Sequence, residues 1–231
     1  LRRKAKDVLK ELPEKNEIDL WTELTDVREQ FAYSMALMFY INPFMPMRRI
    51  GFVPGSIHSP FSCCKMQLLD TIIQNAVTEG RKVIVFSFFK TTLELIHDAY
   101  HKISTPVIAG SVSPVKRQSI IDQFSDDPDK MVLLAQSMAG GTGLNIQAGS
   151  VVVLCEPQIK PSIEDQAIAR AYRMGQTRDV LVYRLLVTES IDEMMINILK
   201  AKREQFESFA DGSVAGDISL SIDDNDIKQI V

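Results

Sequence analysis

The chain has 231 residues, 45% of them hydrophobic and 24% charged, with 11 Gly and 10 Pro; this is ordinary globular composition and excludes disordered, collagen-like and disulfide-scaffold classes. At ~150 residues per domain, the length predicts one large domain or one domain with sizeable appendages. The 26 Lys and Arg against 30 Asp and Glu give a net charge of −4, so the basic excess of a small nucleic-acid-binding domain is missing and any DNA binding must come from local charge.

In chain order, Leu1 to Leu12 reads as a basic helix ended by Pro13, Glu17 to Trp21 as a short strand, and Thr25 to Tyr40 as an apolar-faced helix stopped by Asn42-Pro43. Four prolines and two glycines between Pro43 and Pro60 predict a loop. A helix over Ser62 to Glu79 leads through Gly80, a C′ residue, into the first strand of a new rhythm. From Val83 onward, β-branched runs alternate with amphipathic helical patterns. The strands fall at Val83 to Phe86, Pro106 to Ala109, Met131 to Ala135, Val151 to Cys155 and Val180 to Leu186. The helices between them fall at Thr91 to Ile103, Pro114 to Phe124 and Ser162 to Met174. A last helix opens on the capping box Ser190 to Glu193 and runs to about Phe209. That alternation predicts an α/β fold: a doubly wound, mainly parallel sheet with helices on both faces. The expected division is a segment 1–60, a lobe 61–209 and an acidic tail 210–231.

The three cysteines, Cys63, Cys64 and Cys155, contain no C-x-x-C pair, so no zinc ribbon or disulfide is expected and the natural setting is reducing. The longest apolar run, Phe31 to Ile41, is about half of the ~20 residues a membrane span needs. A soluble, cytoplasmic protein is expected, nucleoid-associated if prokaryotic and nuclear if eukaryotic. The start at Leu1 without an initiator Met reads as a fragment of something longer. His97 and His101 stand four apart on a predicted helix, but Asp98 and Tyr100 between them do not make H-E-x-x-H, and no metal site is expected.

Two neighbouring segments concentrate chemistry. A-G-G-T-G-L-N (Ala139 to Asn145) follows a strand, and its glycines permit either a tight turn or a close approach of backbone N–H groups to a phosphate. A dinucleotide fingerprint fails on spacing, since Ile146 stands where the third Gly is needed. In Q-A-I-A-R-A-Y-R-M-G-Q (Gln166 to Gln176), the spacing of Gln166, Arg170 and Arg173 predicts one shared helix face. Two guanidiniums there would either pair with Glu164 or Asp165 as a solvated face, or serve the spreading negative charge of a transferring phosphoryl group.

These residues carry a resemblance. The chain is similar to the C-terminal RecA-like lobe of Swi/Snf-type (Snf-two) helicase-like DNA-dependent ATPases. The likeness runs through L-R-R-x-x-x-D-V-L-x-E-L-P (Leu1 to Pro13), K-V-I-V-F-S-F-F (Lys82 to Phe89, motif IV) and G-S-V-S-P-V-K-R with Phe124 (Gly110 to Phe124). It continues in A-G-G-T-G-L-N-I (motif V), Gln166 to Gln176 (motif VI) and V-L-V-Y-R-L (Val180 to Leu185), spanning most of residues 1 to 205. The resemblance implies that Arg170 and Arg173 act as arginine fingers on the γ-phosphate of ATP, assisted by Gln166, with ATP and Mg2+ held mainly by a first lobe outside this chain. It implies that Gly141, Gly143 and Asn145 couple the nucleotide cleft to DNA. Ser87, Lys90, Thr91, Lys116, Arg117 and Thr142 are the implied contacts to the duplex DNA backbone.

Two departures qualify that expectation. Glu156 to Pro161 reads E-P-Q-I-K-P where many eukaryotic members carry a D-x-x-W-N-P-like stretch, a form closer to prokaryotic members, and Met138 occupies a position often basic in relatives. Neither G-x-x-x-x-G-K-[ST] nor a strand-borne Asp-Glu pair occurs in the 231 residues, so at most half of an ATPase site is present and the chain alone is expected to be inactive. The rival expectations are a non-catalytic interaction module with a degenerate lobe fold and a lobe of an RNA-directed helicase. The charge is unevenly placed: residues 211–231 hold five Asp and one Lys. Arg81 to Arg117 holds six basic residues against Glu94 and Asp98, a local excess along the proposed motif IV track.

Overall fold

A computed structural model of the chain describes residues 12–49, 51–52, 60–138 and 145–210. The helix expected over Leu1 to Leu12, almost all of it, the acidic tail 211–231 and Ala139 to Leu144 lie outside the described residues. Five strands, β1 (Lys15–Thr22), β2 (Lys82–Ser87), β3 (Val132–Gln136), β4 (Gly149–Leu154) and β5 (Val180–Val187), form one sheet in the order β1-β5-β4-β2-β3. Every pairing is parallel. The carboxyl ends of all five strands therefore share one edge, where ligands of open α/β sheets gather.

The continuous apolar run of β2 explains why this sheet needs cover on both faces. Val83 and Val85 pack with Val132, Leu134, Val151 and Val153 on one face, against α3 (Cys64–Thr78) and α4 (Lys90–Ala99), whose Leu69, Ile73, Leu93 and Ile96 are all fully buried. Ile84 and Phe86 point the other way and meet Leu133, Ala135, Val152 and Leu154. That face is covered by α5 (Pro114–Asp126) through Ile120, Ile121 and Phe124, and by α6 (Pro161–Ala171) through Ala167, Ile168 and Ala171. Gly149 opens β4 where a Cβ would stand 2.5 Å from the Ile84 side chain, so the strands approach closely only because that residue has none.

A third cluster lies beside the sheet. α1 (Val27–Phe39), α2 (Phe44–Arg49) and α7 (Ile191–Ala210) bury Ala36, Phe44, Met47, Ile191, Met195 and Leu199 together. β1 pairs with β5 over eight residues, from Lys15 with Val180 to Thr22 with Val187.

Two expectations are corrected. The segment from Pro43 to Pro60 is not all loop, because Phe44–Arg49 is helical; Pro46 sits in its first turn, where the missing N–H costs nothing. Pro106 to Ala109 is not a regular strand. It pairs with β3 through the isolated bridge Ile108–Ala135, a second bridge, Ser104–Val132, falls just before it, and Pro106 between them offers no N–H for a ladder bond.

Candidate functional site

α6 begins with Pro161 in its first turn, where proline is preorganised, and it ends at Ala171, short of the expected Met174. The reason is local. Gln176, buried, donates from Nε2 to the carbonyls of Ala171, Gln147 and Gly149 at 3.3, 3.1 and 3.0 Å, and Gly175 adopts φ +96°. The side chain thus takes over a carbonyl that the helix leaves open, and the chain turns away. Arg173 consequently lies in the turn beyond the helix, exposed, rather than on one helical face with Gln166 and Arg170. Gln166 is exposed on α6.

Arg170 is buried, its guanidinium 5.7 Å from the centre of the Phe86 ring on β2. Burial, and after it the neighbouring charge of Arg117, pulls its pKa below the ordinary arginine value. Arg117 in turn donates to the carbonyl of Gly110 at 2.8 Å, which ties the start of α5 to the loop before it. The carbonyl of Arg170 accepts from Ile146 N–H at 3.0 Å, so the exit of the glycine segment, with exposed Asn145, is bonded to the last turn of α6. Arg117, Asn145 and Arg170 are therefore brought together. Glu164 and Asp165, the partners of the solvated-face alternative, are committed elsewhere: Glu164 to Arg184 at 2.9 Å and Asp165 to Arg203 at 3.2 Å. Gly141, Thr142 and Gly143 lie outside the described residues.

On the motif IV side, Lys90 and Thr91 are exposed at the start of α4, and Lys90 pairs with Glu94 at 2.7 Å. Lys116 is exposed on α5, whose N-terminus is capped by Ser113 Oγ accepting from Lys116 N–H. Ser87 differs from expectation. It is fully buried, and its hydroxyl donates to Glu156 Oε2 at 3.0 Å and accepts from Phe89 N–H at 3.0 Å. Its oxygen is occupied inside the protein rather than presented to a phosphate. Met138 is exposed.

The helicase conserved C-terminal domain matches residues 64–175. The CHD3-type chromatin-remodeling factor PICKLE of Arabidopsis thaliana is 29% identical across 87% of this chain, which spans 17% of that protein. An uncharacterized ATP-dependent helicase of Mycoplasma pneumoniae is 28% identical across 88% of the chain and 22% of its own length. Among solved structures, the Sulfolobus solfataricus SWI2/SNF2 ATPase core in complex with dsDNA superposes with a TM-score of 0.70 at 25% identity, covering 90% of this chain and 49% of that one. The chain is similar to helicase C-terminal lobes of the Swi/Snf type. The RecA-like fold of this lobe also matches the C-terminal part of the Fun30 ATPase domain, with a TM-score of 0.74 at 17% identity over 80% of this chain and 89% of that one. Plant and bacterial relatives match at nearly the same identity, so the expected prokaryotic affinity has only weak support. The lobe spans less than a quarter of the length of either relative.

Sequence reasoning missed a buried polar belt beneath the strand exits of this lobe. Glu156, just past β4, accepts from Phe88 N–H at 2.5 Å and from Gln158 Nε2 at 3.3 Å as well as from Ser87. Burial pushes its carboxyl up, against the opposing charge of Arg48. Arg48 on α2 is itself buried, donates to the Pro157 carbonyl at 2.8 Å, and lies 5.5, 5.2 and 5.5 Å from the centres of the Phe44, Phe88 and Phe89 rings. Lys65 on α3 pairs with Asp192 on α7 at 2.5 Å and donates to the Cys155 carbonyl. Glu29 on α1 accepts from Cys64 N–H at 3.1 Å and so caps α3, whose own N-cap residue Cys63 supplies no side-chain bond. None of these single charges sits in a periodic pattern. The one available sequence signal was the acidic residue of E-P-Q-I-K-P directly after an apolar strand.

Among the described residues, no group of His, Cys, Asp and Glu could hold a metal ion. No described helix is long and apolar enough to cross a membrane. All three cysteines are free and buried.

Proposed function

We propose that this lobe is the second motor lobe of an ATP-dependent translocase or remodeller acting on duplex DNA. The observation that carries the reading is the convergence of the glycine-segment exit on Arg170, bonded through Ile146 N–H, with Arg117 as a second cation beside it. Two like charges in a half-buried setting favour an anionic ligand, and a phosphoryl group is the anion the family handles. Arg170 is preorganised by the Phe86 ring, while exposed Arg173 has the freedom to reach a ligand held by a facing lobe. In this reading Arg170 and Arg173 stabilise charge on the γ-phosphate, Gln166 assists them, and Gly141, Gly143 and Asn145 couple that site to the DNA track. Lys90, Thr91, Lys116, Arg117 and Thr142 touch the DNA backbone, and Ser87 shapes the loop that leads into Lys90 and Thr91.

ATP with its Mg2+ supplies the reacting phosphoryl group. The donors of this chain suit its terminal charge only, because the sequence contains no G-x-x-x-x-G-K-[ST] loop. The partners are then a first RecA-like lobe and duplex DNA, and the site of action is nuclear in a eukaryote. That a relative is a chromatin-remodeling factor and that the Sulfolobus core was solved with dsDNA both support this reading.

ATP hydrolysis by the full-length protein, measured with duplex DNA, single strands and duplex RNA, tests it. Duplex DNA should stimulate most, and the 231-residue chain alone should hydrolyse almost nothing. Greater stimulation by RNA, or full DNA-stimulated turnover by the isolated chain, would overturn it.

A further inference from the structure

Lys90 and Thr91 open α4 directly after the short loop that leaves β2, and three different elements fix that loop. The Phe88 N–H donates to Glu156 from the β4 exit at 2.5 Å, and the Phe88 carbonyl accepts from Gln136 Nε2 at the β3 exit at 3.0 Å. The backbone of Phe88 is thus held at both its polar atoms by the neighbouring strand exits. Its ring and that of Phe89 meet edge to face, with centres 5.3 Å apart, and both lie within 5.5 Å of the Arg48 guanidinium. A planar cation can lie against two or three ring faces at once, which an ammonium does less well.

Glu156 is the other half of the arrangement. It is a fully buried carboxylate, and a buried charge persists only with a countercharge and satisfied hydrogen bonds. Lys65, the other cation near it, is spent on Asp192 at 2.5 Å. Arg48 completes the circuit by donating to the carbonyl of Pro157, the residue after Glu156. One side chain from α2 therefore joins both strand-exit loops, through the rings on one side and the Glu156-Pro157 backbone on the other.

We propose that Arg48 and Glu156 form a latch that positions the Phe88-Phe89-Lys90 loop for DNA, which makes Arg48 a positioning residue for coupling rather than a catalytic one. The inference rests on the translocase reading given above. The latch sets where Lys90 and Thr91 stand relative to α5 and Lys116, so its loss should loosen the grip on DNA without touching the nucleotide chemistry.

The test uses the full-length protein with Arg48→Lys, Phe88→Leu and Glu156→Gln. ATP turnover is titrated with duplex DNA, and thermal melts show which variants are folded. Arg48→Lys keeps the charge and loses the flat contact; Phe88→Leu leaves every ion in place. For both, the DNA concentration giving half-maximal turnover should rise about tenfold, while turnover without DNA and at saturating DNA stays within about twofold. Glu156→Gln should show the same split more weakly, since the amide still accepts from Phe88 N–H. An unchanged DNA requirement in folded Arg48→Lys and Phe88→Leu would overturn the latch. So would a fall in saturated turnover without a change in half-saturation. If the wild-type protein shows no stimulation by DNA, the translocase reading fails, and the latch falls with it; this is distinguishable from the first two results, where the wild type responds normally.

Discussion

Arg184 and Arg48 are both buried guanidiniums, linked through adjacent residues, since Pro157 accepts from Arg48 and Gln158 N–H donates to Glu164, the partner of Arg184, and they are neutralised in opposite ways. Arg184 on β5 meets Glu164 at 2.9 Å, Glu17 at 2.5 Å and Asp19 at 3.2 Å, so a single side chain ties β1, β5 and α6 together. Burial alone would pull its pKa down, but Glu164 and Glu17 outweigh it and hold the value above the ordinary range. Arg48 has one carbonyl, three aromatic rings and more distant carboxylates, and burial leaves its pKa lowered. The first arrangement is rigid and directional. The second holds loops through ring faces, whose contacts tolerate small displacements, and it lies under the edge where the proposed ligands bind. Strength has been placed at the sheet edge and adaptability at the strand exits.

The largest expected effect breaks this contrast from the functional side. In the full-length protein, Arg170→Ala should lower ATP turnover by ~10³-fold or more, the range for an arginine finger. DNA binding and the melting temperature should stay near wild type, and turnover near wild type would remove the assigned role. Arg173→Ala should act in the same direction.

At the sheet edge the order reverses. Arg184→Met removes the cation from three carboxylates and should destabilise the lobe by ~3–5 kcal/mol, roughly a 10 °C fall in melting temperature. A melt within a degree of wild type would show that the triple ion pair is solvated rather than structural.

The third prediction concerns the junction between α1 and α3. Burial raises the Glu29 pKa to about 7, against an unfolded value near 4.5, with the Cys64 N–H bond opposing that rise. The folded state therefore binds a proton that the unfolded state does not between about pH 4.5 and 7. The stabilising contribution is present at the acidic end of that window and is lost as pH rises through 7. Stability measured by denaturant should fall by ~2–3 kcal/mol from pH 5 to pH 8 on account of this group, and Glu29→Gln should flatten that part of the curve. A slope unchanged in Glu29→Gln assigns the titration elsewhere.

The smallest effect is at the exposed cap of α5. Ser113→Ala should cost ~1 kcal/mol, since Ser113 Oγ accepts from Lys116 N–H at an exposed helix end.

The alternation of β-branched runs with amphipathic stretches was enough to place four of the five strands after Glu17-Trp21 correctly and to predict a two-faced parallel sheet, because burial on both faces leaves a local apolar signature. Pro106 to Ala109 carried the same apolar signature, but a parallel edge strand also needs a donor at each ladder position, and Pro106 breaks that pattern. The α2 helix hid behind Pro46, since composition does not reveal whether a proline falls in a first turn or an interior. Within the site, the helical placement of Gln166 and Arg170 was legible from their spacing, whereas Arg173 was displaced by the side chain of Gln176, five residues past Ala171. Arg48, Glu156, Lys65 and Glu29 were illegible for a different reason. Each is a lone charge whose meaning lies in a partner 35 to 127 residues away.

The pairing of β1 with β5 has a consequence in time. Lys15 lies opposite Val180, so 165 residues separate the two strands that close this side of the sheet. At ~5–20 residues per second, on the order of ten seconds or more pass during synthesis between the emergence of β1 and that of its partner. Throughout that interval β1 presents an unpaired edge, and a contact of such long range closes late and slowly. The charges of Lys15, Glu17 and Asp19 on one row disfavour pairing of that waiting edge with another nascent chain until Arg184 arrives to donate to the Glu17 and Asp19 carboxylates.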